Sequence, residues 1–281
     1  MLRKLSKKWR IIIGIVLFIV LFVAWIFWSN TALELNYMAV KSEDLPEAFD
    51  GYRIAHVSDL HNADMADDLI ETLKEAKPDI ITLTGDIVDA KKPDLEIVYR
   101  FFESAVKIAP CYYVTGNHET VVENNTKYWE KMSSLGVNVV KNEQVLLTKD
   151  DSLIVLVGID DPIFYHPEID SESYMNNMLR MLQPAEDDFA LLLSHRPELF
   201  LSYAESNIDL VLSGHAHGGQ FRLPFVGGLY APHQGTFPTY DSGLYEKNGV
   251  QMVVSRGIGN SRFPIRFNNR PEVILIELQT A

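Results

Sequence analysis

Cysteine is nearly absent from this sequence: Cys111 stands alone in 281 residues. A single thiol excludes an intramolecular disulfide framework and any cysteine-rich zinc site, though it leaves the redox compartment open. Cys111 lies in the apolar run Cys111-Tyr112-Tyr113-Val114, where a small core filler is expected rather than a nucleophile. Acidic residues are missing before Glu34, whereas Arg3, Lys4, Lys7, Lys8 and Arg10 crowd the first ten positions. Removing those five from the 25 basic residues leaves 20 against 38 acidic ones, so the formal net charge of −13 becomes −18 from residue 11 onward. Such a body repels polyanions, so no nucleic-acid binding is expected, but a small phosphate ester captured by metal ions is not excluded. No internal repeat, low-complexity tract or twin-arginine signal is present.

One long apolar run is present. Ile11 to Trp28 carries no charge, and these 18 positions span ~27 Å as a helix, close to the thickness of a bilayer core. Trp25 and Trp28 near one end and Trp9 near the other suit the two interfaces. The basic cluster before the run predicts a cytoplasmic N-terminus, with everything after the run outside. A cleaved signal peptide is the alternative, but its apolar region is usually shorter and no clean small-x-small site follows. The division expected is residues 1–30 as basic N-terminus and anchor, 31–50 as a connector entering a first strand near Leu33–Tyr37, and 51–281 as one catalytic domain.

Beyond the connector, strand-like and helix-like segments alternate. Strands are expected at 52–58, 79–84, 111–115, 152–158 and 189–193, with later ones near Ile208, Met252 and Val273. Helices are expected at 66–76, 94–107, 124–135, 171–182 and 197–203. This alternation indicates α/β layers with partly parallel pairing, and the later strands suggest a second sheet packed on the first.

Most of the strands end in metal-type donors. The stretches are Asp59-Leu60-His61, Gly85-Asp86, Gly116-Asn117-His118-Glu119, Ser194-His195, and Gly214-His215-Ala216-His217-Gly218-Gly219. Ligands in open α/β sheets gather beyond the carboxyl ends of strands, so five separate stretches can converge on one crevice. Mixed oxygen and nitrogen donors suit Mn, Fe, Co, Ni or Zn better than Ca or Mg. Asp86 in its tight turn can bridge two cations, and two cations ~3.5–4 Å apart can clamp a phosphate and activate a water. Glu119 could orient His118 or a ligand. Arg196 and Arg256 are candidate substrate-binding residues, with Arg262 and Arg266 in the same broken segment as Arg256. A surface ion pair is the blander reading of Arg196. His56 reads as a satisfied core histidine, and His166 and His233 have no motif context.

In order and spacing these stretches resemble the calcineurin-like metallophosphoesterase superfamily, whose pattern is Asp-x-His, Gly-Asp, Gly-Asn-His-Asp/Glu, His, then Gly-His-x-His. The tail, with Gly219-Gln220-Phe221-Arg222-Leu223-Pro224 and Ser255-Arg256-Gly257-Ile258-Gly259-Asn260, is similar to the membrane-anchored bacterial phosphoesterases of the YkuE and YaeI type. The resemblance implies a four-layer α/β/β/α sandwich of two mixed sheets. It implies two divalent metals, Mn as the first guess. Asp59, His61, Asp86 and His217 would surround the first metal. Asp86, Asn117, His195 and His215 would surround the second. His118 would face the substrate and assist the leaving group. The expected activity is hydrolysis of a phosphodiester, a lipid-linked or envelope ester among the candidates. A non-catalytic scaffold of the same fold, a phosphomonoesterase and a protein phosphatase are the alternatives.

Overall fold

In a computed structural model, residues 6–164, 170–260 and 263–281 are described. The first element is the helix Lys7–Thr31 (α1), capped by Ser6 and exposed along its apolar length. Among the described residues it is the one helix long and apolar enough to cross a membrane. Three residues later the chain enters Glu34–Ser42 (β1), the first strand expected near Leu33–Tyr37, which at nine residues fills much of the connector.

The alternation then runs as the apolar periodicity dictates. Arg53–Val57 (β2), Ala66–Ala76 (α2), Ile80–Thr84 (β3), Leu95–Ala105 (α3), Cys111–Val114 (β4), Thr126–Ser134 (α4) and Asn138–Val139 (β5) follow in order. Asp94 caps α3 by accepting from the Glu96 and Ile97 amides, and Asn125 caps α4. Next come Glu143–Lys149 (β6), Ser152–Gly158 (β7), Ser171–Met181 (α5), Ala190–Leu193 (β8), Phe200–Tyr203 (α6) and Leu210–Ser213 (β9). Two short hairpins, Arg222–Leu223 (β10) with Gly227–Gly228 (β11) and Tyr230–Ala231 (β12) with Gly235–Thr236 (β13), precede the closing strands. These are Gly243–Lys247 (β14), Val250–Val254 (β15) and Glu272–Thr280 (β16).

Two six-stranded sheets result, in the orders β1-β16-β2-β3-β4-β5 and β14-β15-β9-β8-β7-β6. Both are mixed: β2 to β5 are parallel and β16 antiparallel to β2, while β7, β8, β9 and β15 are parallel between antiparallel edges β6 and β14. The side-chain period of two sorts the buried strand residues into layers. Ile54 and Ile80 meet Leu191, Leu193, Leu210 and Leu212 between the sheets. Their neighbours Ala55 and Ile81 face α2 and α3, and Leu192 and Val211 face α5 and α6. Three apolar layers between four structural layers make the α/β/β/α sandwich. Cys111 is buried against the helices as core filler.

Candidate metal centre

The carboxyl ends of β2, β3, β4, β8 and β9 lie along one edge of the sandwich, and each delivers its donors there. The chain turns sharply at each delivery. Asp59 (φ 52°), His61 (46°), Asp86 (52°), His215 (64°) and His217 (49°) all sit in the left-handed region, which costs non-glycine residues on the order of 1 kcal/mol each. Five such residues at one place are held by surroundings that over-determine them. Part of that determination is room for the backbone. A side chain at Gly214 would overlap Ser58 Oγ, and one at Gly116 would collide with the Asp86 carboxylate.

Two donor groups share Asp86. Asp59, His61, Asp86 and His217 form one, and Asp86, His195 and His215 form the other, with all but a few per cent of their surface removed from solvent. In the first, His217 Nε2 lies 3.3 Å from Asp59 Oδ1 and 3.2 Å from His61 Nε2, and His61 Nε2 lies 3.6 Å from Asp86 Oδ2. In the second, His195 Nδ1 donates to the Thr84 carbonyl at 2.6 Å. That bond fixes the tautomer and leaves the Nε2 lone pair pointing inward. Nε2 faces Asp86 Oδ2 at 3.3 Å and His215 Nδ1 at 3.0 Å. Asn117 Oδ1 is buried without a hydrogen-bond partner.

Convergent carboxylates, inward lone pairs and an orphaned amide oxygen form a set of acceptors that requires positive charge. Burial alone would lower His195, but the nearby Asp86 and Asp59 carboxylates override it and push the imidazole up to about 10. Burial would raise Asp86, yet His195, His61 and His118 hold it well below the usual carboxylate range. Burial dominates at His215 and His217, which are held well below the ordinary histidine value. Borderline divalent cations fit such a mixed nitrogen and oxygen set.

A second ring of residues fixes the first. Glu119 is fully buried and accepts the backbone N–H groups of Gly116, Asp86, Ile87 and Val88 at 2.7 to 3.1 Å. It ties the Asp86 turn to the Asn117 turn and does not touch the His118 ring through any of these bonds. His118 Nδ1 accepts the Ala90 amide at 3.0 Å, so its neutral form carries the proton on Nε2, 4.0 Å from Asp86 Oδ2. Burial lowers its pKa. His56 Nε2 donates to the Ser213 carbonyl at 3.1 Å inside the core.

The donors open into a cavity of about 480 Å³, which Lys91, Asn117, His118, Gln220, His233 and Phe263 help to line. A shallower hollow of about 550 Å³ ringed by Lys74, Lys77 and Lys107 shares none of these residues. The arginines are placed differently from expectation. Arg196 is buried, not a surface ion pair, and gives Asp161 two bonds of 2.7 and 2.8 Å. Arg256 pairs with Glu34 at 2.9 Å and Glu272 at 2.7 Å. Neither lines the cavity, because carboxylates already claim both guanidinium groups. Arg266 is fully buried, donates to the Arg256 and Gly259 carbonyls and approaches His217 Nδ1 at 3.5 Å; Arg262 and His166 lie outside the described residues.

Two residues escaped the sequence reading. Asp89 Oδ2 lies 3.6 Å from His61 Nδ1 and 3.9 Å from His118 Nδ1, placing one carboxylate beside two histidines. Its position three residues after Asp86 in a turn was the available signal. His233, without any motif, stacks on His215 and places Nδ1 2.9 Å from His215 Nε2. Only the fold of the second hairpin brings it there.

Fold and donor set together define the class: the chain belongs to the calcineurin-like phosphoesterase family, whose family model matches residues 52–219. Within it, the chain is 33% identical over 263 residues to the uncharacterized metallophosphoesterase YkuE of Bacillus subtilis (strain 168), covering 88% of this chain and 86% of that one. It is 30% identical over 240 residues to the phosphodiesterase YaeI of Escherichia coli (strain K12), covering 81% and 82%. Among solved structures, TT1561 of Thermus thermophilus shares the fold, with a TM-score of 0.52 at 13% identity over 74% of this chain and 90% of that one.

Proposed function

We propose that this protein is a membrane-anchored, dinuclear-metal phosphodiesterase. One observation carries the reading: Asp86 belongs to two adjacent buried donor groups at once, the arrangement that two neighbouring cations require. In this reading Asp59, His61, Asp86 and His217 would hold one cation, and Asp86, Asn117, His195 and His215 would hold the other. Cations bound there supply Lewis-acid polarisation of the phosphoryl oxygens and lower the pKa of water.

The chain's own residues do the rest. Glu119 keeps the backbone turns under Asp86 and Asn117 in register through four N–H bonds. His118 is held by the Ala90 amide with its Nε2 proton available toward the cavity, suited to hydrogen-bond a phosphoryl oxygen or protonate a departing alkoxide. Lys91 at the cavity wall adds positive charge for the approaching ester. The diester preference follows the name given to YaeI, and manganese is the first choice of metal. Helix α1 is the anchor, with the basic N-terminus in the cytoplasm and the catalytic domain outside.

The test is hydrolysis of bis-p-nitrophenyl phosphate and p-nitrophenyl phosphate by the full chain in detergent, with manganese added and with chelator. Turnover of the bis ester that disappears with chelator and in Asp86→Ala supports the reading. Two metals bound per chain without turnover of either ester would move it to a scaffold.

A further inference from the structure

The sheet topology fixes which end of the domain meets the membrane. Helix α1 ends at Thr31, and β1 starts at Glu34 beside the start of β16, Glu34 pairing with Glu272. Because β16 is antiparallel to β2, the start of β16 lies beside the exit of β2, where Asp59 follows. The donor cluster therefore sits at the end of the sandwich from which the anchor emerges.

The anchor is also clasped to the segment 266–270, which follows Phe263 of the cavity wall. Asn30 donates to the Arg266 carbonyl at 2.9 Å and accepts the Arg266 amide at 2.6 Å. Arg270 stacks on Trp28 and donates to the Ala32 and Leu33 carbonyls. Trp25 meets Phe267 edge-on with centroids 4.9 Å apart. Trp25 lies three residues inside the end of the apolar run, about 4.5 Å toward the membrane along the helix axis. Phe267 thus sits at or below the level where the apolar layer ends. Its ring stacks on Phe221, which in turn meets Phe263 of the cavity wall.

From this aromatic row an apolar rim projects. Phe263 and Ile265 are exposed, and the β10–β11 hairpin, which starts directly after Phe221, carries fully exposed Phe225 and exposed Val226 at its tip. Apolar side chains gathered beside a membrane helix have a natural solvent in the interface.

We propose that this rim is a second membrane contact, which seats the cavity mouth in the head-group layer and presents it to phosphate esters of membrane-embedded amphiphiles. This deepens the reading above and rests on it for the anchor and the phosphoester chemistry. The occupant is the bilayer surface, because the rim continues a row of ring contacts that begins on the spanning helix itself.

The experiment uses the full chain in vesicles of phosphatidylcholine and phosphatidylglycerol. Cys111 is buried, so an environment-sensitive NBD dye can be attached at Phe225→Cys or Ile265→Cys, with Lys107→Cys as control. Lys107 precedes the entry of β4, at the opposite end of the sheet from the donors. Blue-shifted emission quenched by brominated acyl chains at 225 and 265, but not at 107, is the expected result. Emission at 225 and 265 as aqueous as at 107 overturns the proposal.

A second arm compares a vesicle-embedded phosphatidyl p-nitrophenyl ester with soluble bis-p-nitrophenyl phosphate. The double variant Phe225→Asp, Ile265→Asp should lower the ratio of vesicle to soluble turnover roughly tenfold or more, given the transfer free energy of such side chains. An unchanged ratio overturns the presentation of membrane amphiphiles. If the wild type hydrolyses neither ester, the phosphodiesterase reading fails, while the dye measurement still decides the membrane contact.

Discussion

Arg196 offers a sharp choice between two roles. As a substrate ligand its loss would raise KM; as half of a buried ion pair its loss would destabilise the fold. The geometry favours the second. Both side chains of the Arg196–Asp161 pair are almost wholly removed from water, and the guanidinium grips the carboxylate through two bonds. Arg196→Met strips both bonds from Asp161, whose remaining donors include the Ile163 amide at 3.0 Å. Leaving a buried charge without its partner costs about 3–5 kcal/mol, whereas replacing both partners by neutral side chains of similar size is often close to neutral. Arg196→Met should therefore destabilise the full chain by about 3–5 kcal/mol. The double variant Arg196→Met, Asp161→Asn should recover part of that loss, the remainder falling on Glu198, whose carboxylate lies 3.7 Å from the same guanidinium. Urea unfolding in detergent micelles, run as a double-mutant cycle, measures the coupling. Additive losses, or an unaltered midpoint together with a tenfold rise in KM, would refute the ion-pair argument.

His118→Ala should reduce turnover by about 10²–10⁴-fold while metal content, measured by elemental analysis, stays the same, because His118 is outside the two proposed ligand sets. Chelation should lower the apparent melting temperature, since a cation that binds only the folded state stabilises it by about 2.7 kcal/mol at a hundredfold excess over Kd; Asp86→Ala should show no such response. His56 supplies a pH signature. Burial lowers its pKa from 6.5 to about 4, so the folded state resists its protonation. Its contribution is fully present above pH 6.5 and is lost as pH falls toward 4, to a total of about 3 kcal/mol. Denaturation midpoints measured across that window should fall less steeply in His56→Gln than in the wild type.

Much of the sandwich was legible because its strands are short, apolar and punctuated. Runs such as Ala190-Leu191-Leu192-Leu193 and Leu210-Val211-Leu212 bury both faces, one against the other sheet and one against α5 or α6. The strand β1 was only half legible, since Glu34-Leu35-Asn36-Tyr37 is mixed in character and gains its pairing from β16, at the far end of the chain. The same holds for β6, β14 and the small hairpins, whose pairing is tertiary context rather than pattern. The short polar tips after β2, β3, β4, β8 and β9 carried the donor residues in plain sight, and the structure gathers them.

What the sequence determined by itself was local. An uncharged run of 18 residues behind five basic ones dictates a membrane-length helix, because apolar length and flanking charge act without any partner. Donor types at strand ends dictate a metal-binding edge, because turn chemistry and ligand softness belong to the residues themselves. What the tertiary structure decided was which groups meet. It turned Arg196 and Arg256 inward to carboxylates, placed Asp89 between two histidines, and stacked His233 on His215. It also clasped Asn30 of the helix to Arg266 beside the cavity, 236 positions away. Contacts at such separations depend on sheet order and strand direction, and neither is written in the neighbourhood of any one residue.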